Sequence, residues 1–332
     1  MVSILLLYYY CILVSIHQTL ARQGWYVPGK NVSWQYQLSD SGDVTYIPGV
    51  ELYVIDIDSA RDFIPFIRKK DPNARVVCYF SAGSFEAYRV KADEDRGTYS
   101  FSKGYWGSSS IGRAMDGWPG EYWVDIRKKR VRYAAKKRMQ FAKSIGCSGV
   151  DPDNVDGYTF GRQNTGFDLT RQDQISFNTY LAKSAHSLGL GIGLKNAVEL
   201  LKDIASQYDW FINESCFTFR ECSEYSIRKA PGTRGKAILI VEYCDAKKEL
   251  GEPTQDPGCY CGISIQQGYN TLIKMADLNA PRMTCDAFCR QNPTVCLAKT
   301  RLQMKKNKNN KSSDVSCRSK QRDECGTVMN TT

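Results

Sequence analysis

The 332-residue sequence carries 45 Lys and Arg against 35 Asp and Glu, a net charge of +10, and 42% of its residues are hydrophobic, enough for one large domain or two small ones. It has only two histidines, one of them in the N-terminal stretch, and no GxGxxG or phosphate-loop motif, which excludes Ser-His-Asp and Cys-His catalysis, histidine-ligated zinc and the common nucleotide-binding loops. Ala298–Thr332 holds nine Lys or Arg against three acidic residues but no aromatic side chain on which bases could stack, which argues against a nucleic-acid partner.

In chain order, the first element is a charge-free stretch. Met1 to Ala21 contains no Asp, Glu, Lys or Arg, and its apolar run Ile4–Leu13 precedes the small-residue stretch Thr19-Leu20-Ala21. That pattern predicts a secretory signal peptide over residues 1–22, too short in its apolar part to span a membrane. Of the thirteen cysteines, Cys11 falls in this segment, leaving an even set of twelve. Sequons stand at Asn31, Asn213, Asn310 and Asn330. Together these features predict a secreted, extracellular, disulfide-bonded glycoprotein. The sequon at Asn213 directly precedes Glu214, so a structural role is expected for that side chain instead of a glycan.

Short apolar runs then alternate with helical patterns. The predicted strands are Leu52–Ile57, Arg75–Phe80, Tyr122–Ile126, Gly149–Asp151, Gly191–Lys195, Trp210–Glu214 and Ala237–Glu242, with an eighth near Thr271–Lys274. Most are continuously apolar, as strands covered on both faces of a parallel sheet are. Val131, Ala135, Met139, Ala142 and Ile145 recur at helical spacing, as do Phe177, Leu181, Ala185 and Leu188, and Thr170 with Asp173 predicts an N-cap before the second helix. His186 lies in that helix, away from any strand end. The alternation predicts a (β/α)8 barrel over residues 23–284, with a doubly wound sheet as the competing arrangement. Residues 84–120 read as a long loop at the barrel mouth, and 285–332 as a Cys-containing, basic extension.

Polar residues gather where these strands stop. In a barrel such ends share one rim, where catalysis occurs. They supply Asp56, Tyr79, Asp125, Asp151, Asp153, Asn154, Asp156, Lys195, Asn196, Glu214, Glu242 and Tyr243. With histidine chemistry excluded, carboxylates remain. Paired carboxylates are what glycoside hydrolysis needs: one protonates the leaving oxygen while the other attacks or activates water. Trp34, Tyr79, Tyr105, Trp106, Trp118, Trp123 and Tyr158 offer faces on which a sugar could stack.

Several motifs resemble glycoside hydrolase family 114. They are Trp34-Gln35-Tyr36-Gln37-Leu38, Cys78-Tyr79-Phe80-Ser81-Ala82-Gly83-Ser84, Gly117-Trp118-Pro119-Gly120-Glu121 and the block Gly146 to Tyr158 with its Asp151-Pro152-Asp153-Asn154-Val155-Asp156 core. Gly193-Leu194-Lys195-Asn196, Glu214-Ser215-Cys216 and Val241-Glu242-Tyr243 extend the resemblance, which runs from Trp34 to Cys285. It implies endo-α-1,4-polygalactosaminidase activity from an Asp on strand four and a Glu on strand six. The Glu maps to Glu214. The Asp maps to Asp153, with Asp151 and Asp156 as neighbouring candidates. The expected substrate-binding set is Trp34, Asp56, Tyr79, Asp125, Asn154, Lys195, Asn196, Glu242 and Tyr243. Asp151-Pro152-Asp153 is also similar to the chitinase strand-four motif, but that motif needs Glu where this chain has Val155. The expectation is therefore a monomeric hydrolase of an amino-sugar polymer that uses neither metal nor cofactor. The alternative is a carbohydrate-binding protein that has lost catalysis on the same barrel.

Overall fold

A computed structural model of the chain describes residues 24–39, 44–89, 106–245 and 256–296. The expected signal peptide, Tyr105, the sequons at Asn310 and Asn330, and the basic stretch 298–332 lie outside the described residues.

Eight parallel strands form one sheet: β1 (Trp34–Gln37), β2 (Leu52–Asp56), β3 (Arg75–Ser81), β7 (Gly149–Asp153), β8 (Gly191–Lys195), β9 (Trp210–Glu214), β10 (Ala237–Tyr243) and β11 (Asn270–Lys274). The two-residue β12 (Met283–Thr284) pairs antiparallel with β11. The sheet curls until its edges approach, where the Trp34 indole N–H donates to the Asn270 carbonyl at 3.0 Å and the Gln35 amide donates to that of Ala280 at 2.7 Å. The result is a (β/α)8-type barrel. Between β3 and β7 a separate three-stranded antiparallel sheet is inserted, in the order β4 (Ser84–Glu86), β6 (Glu121–Val124), β5 (Ile111–Ala114).

Two sequence expectations need correction here. Tyr122–Ile126 is not a barrel strand: it holds β6 of the small sheet and is apolar because Trp123 and Val124 are both buried there. Conversely, Trp34–Gln37 is the first barrel strand, and its alternation of aromatic rings with glutamine hid it. The two errors cancel in the count, so the strand ending in Asp153 is the fourth of the barrel and that ending in Glu214 the sixth. Within residues 84–120, the described parts hold β4 and β5 and not merely a loop.

The helices form for legible reasons. Helix α1 (Ile57–Lys70) starts at Asp56, whose carboxylate accepts the Asp58 N–H at 2.8 Å. Helix α2 (Lys129–Ile145) ends at Gly146, whose φ of 95° is left-handed. Helix α3 (Arg171–Ser187) opens with the expected capping box, Thr170 and Asp173 bonding reciprocally. Their apolar faces, with Ile64, Ile67, Val131, Met139, Phe177 and Leu181, pack on outward strand residues such as Tyr53, Ile55 and Val150.

Inward strand residues fill the barrel: Leu52, Val54, Val77, Ile212, Leu239, Val241 and Leu272 surround Trp210. Room for that indole comes from glycine, since a Cβ at Gly193 would lie 2.3 Å from Trp210 Nε1. Burying roughly 200 Å² of indole at about 25 cal/mol/Å² stabilises by about 5 kcal/mol. Helix α4 (Pro257–Gln267) and helix α5 (Cys285–Gln291) are joined by the disulfide Cys261–Cys285. Cys78–Cys147, Cys216–Cys222 and Cys289–Cys296 are three further disulfides. Among the described residues, no helix is long and apolar enough to cross a membrane.

Candidate active site

The C-terminal ends of the parallel strands bring their polar residues onto one buried lysine. Lys195, last residue of β8, is 1% exposed. Its ammonium lies 3.0 Å from Glu214 Oε2 and 3.4 Å from Asp153 Oδ2, and donates to the Tyr36 hydroxyl at 2.6 Å. The rings of Tyr36 and Tyr79 flank it, each centroid 5.2 Å from Nζ. Burial works against its charge, but Asp153, Glu214 and Asp151 together hold the ammonium well above the ordinary lysine value.

Each carboxylate has further donors. Asp153 accepts the Tyr79 hydroxyl on Oδ2 at 2.8 Å and the Asn154 backbone N–H on Oδ1 at 2.8 Å. Glu214 accepts the Tyr243 hydroxyl, and its backbone N–H donates to Asn196 Oδ1 at 2.9 Å. Burial first, and then these carboxylates, push Tyr36, Tyr79 and Tyr243 well above the usual tyrosine range, so they remain hydroxyl donors. Asn154, Asn196 and Ser215 adopt left-handed backbones, with φ of 58°, 48° and 65°, turning the chain directly after three site strands.

Two more strand-four acids stand nearby. Asp151 is fully buried, and among the described residues neither of its oxygens has a hydrogen-bond partner. Burial, reinforced by Asp153 and Glu214, pushes it up to about 7 despite Lys195. Asp156, past the strand end, is pushed up to about 7 by burial and by the charges of Asp153 and Glu199.

Other expected rim residues lie apart from this group. Asp56 is clamped by Arg89 and caps α1; burial opposes its charge, but Arg89 holds its carboxyl below the usual range. Asp125 follows β6 outside the barrel and pairs with Arg127 at 2.8 Å. Glu242 points to the other side of β10 from Tyr243, accepts the Phe217 N–H at 2.8 Å and the Thr218 hydroxyl at 3.0 Å, and is pushed up to about 7 by burial. Trp34 is buried at the barrel seam. Of the other aromatics, Trp106 and Trp123 are buried, Tyr158 is half-buried, and Trp118 is exposed.

Asn213 is fully buried, its amide donating to Glu221 and to the Tyr225 hydroxyl. His186 stacks on Trp25 and bonds Asp209, as a satisfied helix-surface histidine does. Among the described residues, no three His, Cys or carboxylate side chains converge as metal ligands would.

The sequence did not single out Tyr36 of this group, nor Glu121 of the inserted sheet. Tyr36 stood in a quoted motif, but its strand went unrecognised, and with it the position of its hydroxyl at the rim. Glu121, on β6, is 8% exposed, accepts the Ser84 hydroxyl at 2.8 Å, and is pushed up to about 7 by burial and by Glu86.

The arrangement offers two carboxylates from different strands, each held by a tyrosine hydroxyl and sharing one ammonium. Residues 15–290 of the chain match the glycoside-hydrolase family GH114. No curated protein matches the chain. Among solved structures, it is similar to Aspergillus fumigatus Ega3 in complex with galactosamine, at 32% identity and a TM-score of 0.65, covering 78% of this chain and 97% of that one. The glycoside hydrolase domain of PelA from Pseudomonas aeruginosa has the same fold, with a TM-score of 0.51, 12% identity, and coverage of 77% of this chain and 99% of that one.

Proposed function

The chain belongs to glycoside-hydrolase family GH114, and from that premise we propose that it is a secreted, endo-acting hydrolase of an α-1,4-linked galactosamine polymer, with Asp153 and Glu214 as its carboxylate pair. The observation that carries this reading is the single ammonium of Lys195 held between both carboxylates. Galactosamine is the sugar bound by the similar Ega3. Secretion is supported by the charge-free apolar start of the sequence and by the disulfides.

The roles follow from the donors. Asp153 receives three: Tyr79, the Asn154 N–H and Lys195. Three donors converging on one carboxylate orient it, which suits the group that attacks the anomeric carbon. Glu214 receives two, from Tyr243 and Lys195, and is assigned as the acid that protonates the leaving oxygen and later takes a proton from water. The oxygens that Lys195 holds are no farther apart than 3.4 Å and 3.0 Å laid end to end. That favours the retaining gap of roughly 5–5.5 Å over the inverting gap of roughly 6.5–9.5 Å.

The test is turnover of a galactosamine polymer by the secreted protein. Asp153→Asn and Glu214→Gln should each lower kcat by orders of magnitude in a protein that still folds, and NMR of the first products should show the retained anomer. Binding of the polymer without release of new chain ends would establish the non-catalytic alternative. If both amide variants stay active, or if Asp151→Asn or Asp156→Asn alone is inactive, the pair is wrongly assigned.

A further inference from the structure

The motif ending in Glu121 has no part in the carboxylate pair, yet Glu121 lies at the far end of a buried hydrogen-bond chain that reaches Asp153. Glu121 Oε2 accepts the hydroxyl of Ser84 at 2.8 Å. Ser84 opens β4, which runs antiparallel to β6, and is fully buried. Its Oγ lies 2.5 Å from Oγ of Ser81, the last residue of β3. Ser81 Oγ also accepts the Asn154 side-chain amide at 2.8 Å and the Ser84 backbone N–H at 3.1 Å. Asn154, in its left-handed conformation, in turn gives its backbone N–H to Asp153 Oδ1 at 2.8 Å.

Counting hydrogens fixes the direction of this chain. An ionised carboxylate only accepts, so the one hydrogen of Ser84 goes to Glu121. The hydrogen between the two serines is then that of Ser81, and Ser81 Oγ is left as the acceptor for the Asn154 amide. Without the anion at its end, Ser84 is free to donate to Ser81 instead. The Ser81 hydrogen then faces the Asn154 amide or the Ser84 backbone N–H, donor against donor in either case. The surrounding bracket has little slack to absorb such a reversal. The Ala82 and Gly83 N–H groups both donate to the Asp153 carbonyl, at 3.0 Å and 3.2 Å, and a Cβ at Gly83 would lie 1.7 Å from the Asn154 carbonyl oxygen.

Resting on the reading of Asp153 as the attacking carboxylate, we propose that Glu121 is a positioning residue for the reaction: through Ser84, Ser81 and Asn154 it sets the Asp153–Asn154 turn and with it the aim of Asp153. This gives the small inserted sheet a catalytic purpose, because β6 carries Glu121 and β4 carries Ser84.

The experiment is steady-state kinetics on the galactosamine polymer at pH 8, above the value of about 7 to which Glu121 is pushed. The variants are Ser84→Ala, Glu121→Ala, Glu121→Gln and the Ser84→Ala/Glu121→Ala double variant, each with its Tm. A small misplacement of a reacting group costs one to two orders of magnitude in rate. Ser84→Ala and Glu121→Ala should therefore each lower kcat about tenfold or more with KM within about threefold. The double variant should lose no more than the worse single one, since both cut one chain. Glu121→Gln, which keeps an acceptor oxygen, should retain more activity than Glu121→Ala. A purely structural role would lower Tm and leave kcat per folded molecule unchanged.

A Ser84→Ala kcat within twofold of the parent, or a double-variant loss equal to the product of the single losses, overturns the proposal. If Ser84→Ala does not fold, Ser84→Cys, nearly isosteric with a weak donor, is held to the same criterion. The parent protein and Asp153→Asn are run alongside. An inactive parent or an active Asp153→Asn removes the underlying reading, whereas normal controls with a near-native Ser84→Ala remove only the chain.

Discussion

Replacing Lys195 by Met removes the charge that two carboxylates share while keeping most of the apolar stem. Lys195 is 1% exposed and lies 3.0 Å and 3.4 Å from Glu214 and Asp153. At an effective dielectric of about 20, each contact is worth about 5 kcal/mol of attraction before desolvation is subtracted. Breaking such a buried pair by removing one partner costs about 3–5 kcal/mol. Left alone, the two carboxylates repel by about 3 kcal/mol at the same dielectric, which favours the uptake of a proton by one of them. A carboxyl with a raised folded-state pKa contributes stability that is full below its unfolded value near 4 and is lost as pH rises through the folded value. The deficit of Lys195→Met relative to the parent should therefore be small at pH 4.5 and approach about 3–5 kcal/mol by pH 7.5. Urea unfolding of both proteins at the two pH values measures it. A deficit equal at both pH values, or larger in acid, would refute the account of Lys195 as the shared counter-ion.

Asp151, fully buried and raised to about 7, favours the fold at low pH and opposes it as pH climbs through 7. Asp151→Asn should thus flatten the fall in unfolding free energy between pH 5 and 7 by up to about 1.4 kcal/mol per pH unit, and a steeper fall in the variant would contradict this. The disulfide Cys78–Cys147 closes a loop with a sequence separation of 69. Its removal by Cys78→Ser/Cys147→Ser should cost about 4 kcal/mol on chain entropy, read as a lower denaturant midpoint in non-reducing buffer. Glycopeptide mass spectrometry of secreted protein should find Asn31, which is exposed, occupied and Asn213, fully buried with its amide bonded to Glu221 and Tyr225, empty.

The barrel was legible because its strands are short apolar runs closed by acids, and its helices carry 3.6-residue periodicity with a capping box at Thr170. Hydrophobicity alone could not separate the barrel from the inserted sheet. Tyr122–Ile126 is as apolar as a barrel strand, and only pairing with Ser84–Glu86 and Ile111–Ala114 assigns it elsewhere. Trp34–Gln37 failed for the opposite reason, since Gln35 and Gln37 are buried amides that break the apolar run. Within the site, residues at strand ends were readable: Asp153, Lys195, Glu214, Tyr79 and Tyr243 converge. Strand ends whose acids serve other partners could not be told apart by sequence. Asp56 belongs to Arg89, Asp125 to Arg127, and Glu242 to the Phe217–Thr218 turn. The parity of β10 did carry a signal for the last case. Tyr243 and Glu242 are adjacent, so only one of them can face the barrel axis.

The charge of the group bears on what it is suited to receive. Two carboxyl groups, Asp153 and Glu214, stand against the single ammonium of Lys195 in a largely buried setting. Carboxyl groups outnumber the ammonium here, which suits a sugar bearing an ammonium better than an acidic one. The net +10 of the whole chain acts in the opposite sense, but salt screens such fields beyond about 8–10 Å. On the proposed reading, selection of a cationic sugar would be a property of contact distances at the strand ends and not of the overall charge. The lysine cannot be exchanged for a neutral donor on this logic. Without it the two carboxylates repel, one takes up a proton, and if that one is Asp153 the anion proposed to attack is lost.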